Sequence, residues 1–94
     1  MYSMKVIGAG SIGNHLAHAA RKLEWNVDVY DCDTEALRRM KEEIYPQRYG
    51  SWDDKITLMN ENLSNNYDII HIGTPPETHI DLAIKSIKEN PKAI

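Results

Sequence analysis

Short β-type runs alternate with longer helical ones along this chain, and that order predicts an α/β protein with a doubly wound parallel sheet. Three observations carry the prediction. A short apolar run at residues 4–7 ends at a glycine, an amphipathic helical pattern follows it, and a second β-type run ends in Asp31, Cys32 and Asp33.

The elements follow in order. Residues 4–7 form a strand that stops at Gly8. From Ser11 onward, Ile12, Leu16, Ala19, Ala20 and Leu23 recur at helical spacing and define the face expected to be buried. Val27, Val29 and Tyr30 make the second strand. Thr34 is placed to cap a helix running to about Ile44, with Leu37, Met40 and Ile44 inward. Pro46 and Gly50 break helices, so residues 45–51 read as a turn with a short strand around Arg48 and Tyr49. Residues 53–62 read as a third helix whose apolar positions are Ile56, Leu58 and Met59. A turn at 64–66 leads to a strand at 67–72, expected to be buried on both faces. Thr74 starts a helix to about Glu89, and Ala93 and Ile94 open a further strand. The sheet is therefore expected to be incomplete at its C-terminal end. Residues 1–94 read as one domain, a fragment of a longer two-domain protein.

Composition narrows the function classes. Hydrophobic residues make up 41% and charged residues 27% of the 94, ordinary values for a globular domain. No apolar run approaches the roughly 20 residues that span a bilayer. Net charge is −3, and the basic cluster Arg38, Arg39 and Lys41 is followed at once by Glu42 and Glu43. That pattern fits a solvated helix face, and argues against nucleic acid or an anionic membrane as partner. A single cysteine, Cys32, has no internal disulfide partner, in keeping with a cytoplasmic location. No His/Cys/Asp/Glu set has metal-site spacing, and no nucleophile–base pair can be assembled.

The strongest motif is Gly8, Ala9, Gly10, Ser11, Ile12, Gly13, which sits between a strand and an amphipathic helix. An acid, Asp31, ends the next strand 18 residues after Gly13. This is the pattern of a Rossmann-type dinucleotide site. Gly8 allows the tight turn, Gly10 lets the backbone approach a pyrophosphate, and Gly13 lets the helix pack closely on the sheet. Unpaired N–H groups and the positive end of the helix dipole favour the phosphates without any lysine in the loop. Asp31 is positioned to accept the ribose hydroxyls and to repel a 2′-phosphate, which favours NAD over NADP. Asp31 and Asp33 also have a plainer reading as helix caps, and Asp33 fits it better.

A second stretch, residues 68–79, contains Thr74, Pro75, Pro76 and His79 after a hydrophobic strand. Thr74 and Glu77 have capping-box spacing, with Pro75 at the first helical position. With the glycine loop and Asp31, this stretch resembles the glucose–fructose oxidoreductase / inositol dehydrogenase family (Gfo/Idh/MocA). The Trp52–Asp54 region matches that family loosely. The resemblance implies that Thr74, Pro75, Pro76 and His79 lie near the nicotinamide ribose, with His79 shaping the loop and not acting in catalysis. It implies a parent NAD-dependent oxidoreductase moving hydride between nicotinamide and a sugar- or cyclitol-like substrate. Relatives place their catalytic lysine in a Glu-Lys-Pro motif beyond residue 94, so this stretch alone is expected to be inactive. A small-molecule substrate then belongs to the full-length protein only. His71 reads as a packed core histidine, and His15 and His18 as helix-face residues.

Two alternatives stand beside this reading. Potassium-transport regulatory domains also carry a glycine-rich loop and a strand ending in Asp-x-Asp, like Asp31, Cys32 and Asp33. In that class nucleotide binding shifts a conformational equilibrium and feeds no reaction. The third is a Rossmann domain that binds nothing. Oligomeric state is open, a monomer or a homo-oligomer paired through exposed sheet edges.

Overall fold

The computed structural model describes residues 2–61 and 67–73. Among these, four strands form one sheet: β1 (Ser3–Ile7), β2 (Asn26–Tyr30), β3 (Ile56–Met59) and β4 (Ile69–Ile72). Their order is β3-β2-β1-β4, and every pairing is parallel. The connections are α1 (Ser11–Lys22) between β1 and β2, and a long helical stretch between β2 and β3. That stretch comprises α2 (Thr34–Arg39), a π-helical turn (Met40–Ile44) and α3 (Tyr45–Tyr49). Strand order and direction agree with the α/β, Rossmann-type architecture expected from the sequence.

Register explains why these runs became strands. Met4 lies opposite Val27 and Val6 opposite Val29, while Val27 and Val29 face Ile56 and Leu58 on the other side. With a side-chain period of two, these residues share one face of the sheet. α1, α2 and α3 cover that face, and Ala17, Ala20, Leu37, Met40 and Tyr45 complete its core. The opposite face carries Lys5, Ile7, Tyr30 and Ile70, with Tyr67 packed against Ile7 and Ile70. Lys5 is fully buried there, its ammonium 5.2 Å from the centre of the Tyr67 ring, and the Tyr67 hydroxyl donates to Asp28 Oδ2 at 2.7 Å.

Five details depart from the sequence reading. The buried side of α1 is Gly13, Asn14, Ala17 and Ala20, whereas Ile12 and Leu23 are each 63% exposed. Gly13, Ala17 and Ala20 let the helix lie close to the sheet, with Leu16 packed at the margin of this core. Helix α2 is capped by Asp33, whose side chain accepts from the Glu35 N–H at 3.0 Å, and Thr34 is its first helical residue.

Residues 45–49 are helical and not a turn with a strand. The Tyr45 N–H reaches back to the Met40 carbonyl, which widens the preceding turn, so Pro46 falls in the first turn of α3 where no N–H donor is required. Gly50, at φ 93°, closes α3 by donating to the Pro46 carbonyl at 2.8 Å. Residues 56–59 form β3 and not part of a helix, because pairing along β2 satisfies their backbone and buries Ile56. In β4, Ile70 is fully buried while Ile69, His71 and Ile72 are half-buried. The expected turn at 64–66, the helix from Thr74 and the strand at Ala93 lie outside the described residues. Among the described residues, no helix is long and apolar enough to cross a membrane.

Candidate functional site

The glycine loop lies where β1 ends, between its neighbours β2 and β4. In an open parallel sheet the crevice beyond the strand ends, where the chain order reverses, is where ligands bind. Here the reversal falls between β1 and β4, since β2 and β3 extend the sheet to one side and β4 to the other.

Each glycine has a distinct structural reason. Gly8 has φ 113°, and a Cβ there would lie 3.0 Å from the Gly73 carbonyl oxygen. Its N–H donates to the Tyr30 carbonyl at 2.8 Å, and the Gly73 N–H donates to the Ile7 carbonyl at 2.7 Å. Three strand ends therefore converge on this turn. At Gly10 a Cβ would meet nothing within 4 Å, so its outer side is open. At Gly13 a Cβ would overlap the Gly8 carbonyl oxygen, which fixes α1 against the loop. Ser11 and Ile12 begin α1 and are exposed, so the helix starts with one side of its first turn in solvent, while Gly13 and Asn14 are buried. Backbone N–H groups in such a turn have no intrahelical acceptor.

Asn14, a residue the sequence reading did not single out, shapes the loop from beneath. It is fully buried, and its Nδ2 donates to the carbonyls of Ala9 at 3.1 Å and Gly10 at 2.8 Å. These two bonds hold the Ala9 and Gly10 carbonyls on the Asn14 side of the loop. Its Oδ1 has no hydrogen-bond partner among the described residues. The polar residue directly after the third glycine, on the side of the helix that faces the sheet, was the available signal.

Asp31 lies beside the glycine loop. Its Oδ2 accepts the Ala9 N–H at 3.0 Å, and its Oδ1 accepts the Asp33 N–H at 2.9 Å. One carboxylate thus ties the glycine loop to the turn after β2, while Asp33 alone caps α2. Two carboxylate oxygens have lone pairs beyond these bonds, so the group can still accept from a hydroxyl. Thr74, Pro75, Pro76 and His79 lie outside the described residues. His71 sits on the α1 side of the sheet beside Val6 in the register, half-buried. Among the described residues no group of His, Cys, Asp or Glu could hold a metal ion.

A groove of about 470 Å³ lies at the other end of α1. Its walls include His18, Arg21, Tyr45, Tyr49, Trp52 and Asp53, and no residue of the glycine loop. These side chains are engaged with one another. His18 stacks on Tyr49 with ring centres 3.7 Å apart and bonds the Tyr45 hydroxyl at 3.1 Å, and Arg21 pairs with Asp53 at 3.0 Å. Burial, followed by Lys22 and His15, holds the His18 imidazole below its ordinary pKa against the opposing pull of Asp53. Burial would raise the Asp53 carboxyl, but the Lys55 amide and Arg21 outweigh it and keep it below the usual range. His18 is thus more than the helix-face residue its spacing implied.

Arg38, Arg39 and Lys41 are all exposed. Arg38 bonds Glu35, Glu42 and Glu43, which agrees with a solvated face.

Strand order, the turn at Gly8 and the carboxylate at the end of β2 define a Rossmann-type nucleotide-binding fold. The chain belongs to the TrkA-N domain family, whose match runs over residues 4–94. No curated protein matches the chain at a significant level. The family match overturns the resemblance to glucose–fructose oxidoreductase and inositol dehydrogenase, and with it the oxidoreductase reading. The glycine loop and Asp31 are common to both kinds of protein and could not separate them. Residues 74–79, the other part of that resemblance, also fit a helix cap.

Proposed function

We propose that residues 1–94 act as a regulatory nucleotide-binding domain of the kind that controls potassium transport, with NAD(H) as the ligand. The reading rests on membership of the TrkA-N family together with one geometric observation, the Asp31 carboxylate held on the Ala9 N–H of the glycine loop. A dinucleotide would lay its pyrophosphate along Gly10, Ser11, Ile12 and Gly13 and its adenosine ribose on Asp31. Gly8 would supply the turn that makes room for it. The carboxylate disfavours a ribose that carries a 2′-phosphate, so NAD(H) is preferred over NADP(H).

In such a domain the ligand does no chemistry. It binds one conformation better than another and shifts their populations, by no more than its differential affinity for the two. The bond between Asp31 and Ala9 supports this idea, because a ribose competing for that carboxylate acts on the loop and on the turn into α2 together. A cytoplasmic location goes with this reading.

The test is an equilibrium titration of the chain with NADH, NADPH and ATP, followed by quenching of tryptophan fluorescence. Saturable NADH binding, tighter than NADPH, with the preference lost in Asp31→Ala, is expected. Absence of binding by every nucleotide would overturn the reading, and tighter ATP binding would replace its ligand.

A further inference from the structure

We propose that Arg48, delivered from α3, is a phosphate-contacting residue of the glycine-loop site. The proposal rests on the nucleotide-binding reading above and adds to it a residue that no motif includes. Arg48 is distant in sequence from the loop, yet its Nη1 donates to the Ser11 carbonyl at 3.0 Å and its Nη2 to the Ser11 Oγ at 2.7 Å. The guanidinium is exposed, and so are Ser11 and Gly10. It therefore stands in solvent beside the first turn of α1.

Electrostatics makes this an unusual resting place for a cation. The N-terminus of a helix carries roughly half a positive charge, so a guanidinium there is repelled and an anion is attracted. No acidic residue lies in the first turn of α1 itself, and Asp31, the carboxylate beside the loop, is held on the Ala9 N–H. The loop sequence from Gly8 to Gly13 contains no basic side chain of its own. Meanwhile Asn14 holds the Ala9 and Gly10 carbonyls on its own side of the loop, and Asp31 engages only the Ala9 N–H of the loop. The outer surface at Gly10 and Ser11 is thus a cluster of donors gathered from two separate elements. A diphosphate placed there would satisfy the helix N–H groups and the remaining donors of the arginine fork together, and arginine suits phosphate because its donors lie in one plane.

The arrangement also assigns a selectivity. Arg48 touches the loop at Ser11, at the phosphate end of the site, whereas Asp31 engages Ala9 at the ribose end. Losing the arginine should weaken ligands that carry a diphosphate and leave a bare nucleoside untouched. Ser11 is the relay in this arrangement, since its hydroxyl accepts from Arg48 and can donate its own proton to a phosphate oxygen.

The experiment compares the full chain with Arg48→Gln and Arg48→Lys, titrated with NADH, ADP and adenosine at low and moderate salt. Thermal unfolding without ligand is recorded for each. Arg48→Gln is expected to weaken NADH and ADP about 10- to 100-fold, the range for losing a hydrogen bond to a charged group. Adenosine affinity should stay the same, the salt dependence of NADH binding should become shallower, and Arg48→Lys should recover part of the loss. Equal weakening of NADH and adenosine, together with a lowered unfolding temperature, would overturn the proposal and make Arg48 a strut for the loop. Unchanged NADH affinity in Arg48→Gln would overturn it while leaving the nucleotide reading in place. If the unsubstituted chain binds neither NADH nor ADP, both fall.

Discussion

Gly10 and Gly13 belong to the same motif, yet the structure gives alanine at each a different consequence. At position 13 the new methyl would overlap the Gly8 carbonyl oxygen, and it would come within 3.1 Å of the Gly8 carbonyl carbon and 3.4 Å of Val6 Cγ1. The obstruction is backbone, which cannot rotate aside, so α1 must lift from the sheet. Overpacking of this kind costs about 1–3 kcal/mol, and a backbone clash falls at the upper end. The better helix preference of alanine returns about 1 kcal/mol, leaving a loss of about 2 kcal/mol. For a domain of this size that lowers the unfolding midpoint by roughly 8–16 °C.

At position 10 the backbone has φ −81°, open to any residue, and a methyl meets nothing within 4 Å. Alanine is a poorer cap than glycine, but it also restricts the unfolded chain, and the two effects nearly cancel. Gly10→Ala should therefore keep its midpoint within about 4 °C of the parent. Its methyl nevertheless fills the space a pyrophosphate would take, so NADH affinity should drop by about tenfold or more, some 1.4 kcal/mol. Circular dichroism melts and fluorescence titration of both variants separate the two effects. A Gly10→Ala chain as unstable as Gly13→Ala, or a Gly13→Ala chain of parental stability, would refute the geometric argument.

Two further outcomes follow from contacts away from the loop. Asp33→Ala removes the cap of α2 and should cost about 1 kcal/mol in chemical denaturation, with NADH affinity unchanged because Asp31 and not Asp33 engages the loop. Stability should also depend on pH through His18. Its folded-state pKa is held below the ordinary 6.5 by burial and by Lys22 and His15, so the unfolded chain binds the proton more readily. The stabilisation is therefore complete above about pH 6.5 and is lost as pH falls through the folded-state value. Melts at about pH 7.5 and about pH 5.5 should show this drop, and His18→Gln should show less of it; an equal drop in His18→Gln would assign the effect to other groups.

The candidate site's geometry was legible in part because its signals are short-range. The glycines at 8, 10 and 13 and the acid at 31 are fixed by turn geometry and strand ends, which a local pattern records. The alternation in β1 and β2 was equally plain. Other features depend on partners distant in sequence. Ile56, Leu58 and Met59 suit a helix as well as a strand, and only the open side of β2 decides for the strand. The buried side of α1 departs from its hydrophobic spacing because close packing on the sheet selects Gly13, Ala17 and Ala20 over the larger Ile12 and Leu23. Pro46 looked like a terminator, but the widened turn before it turns a break into a restart, held by the rings of His18, Tyr45 and Tyr49. Arg48 could not be tied to Ser11 from spacing, since that contact exists only once α3 has formed. The family could not be read from the loop and acid alone, because several kinds of nucleotide-binding domain share them.

The most direct test of the central claim is a nitrogen–proton correlation NMR titration of the chain with NADH. Binding at the glycine loop predicts the largest shifts at the amides of Ala9, Gly10, Ser11, Ile12 and Gly13, with Asp31 and Asp33 following as the carboxylate exchanges partners. Spectra that do not change, or shifts confined to the groove around His18, Tyr49 and Asp53, would contradict it.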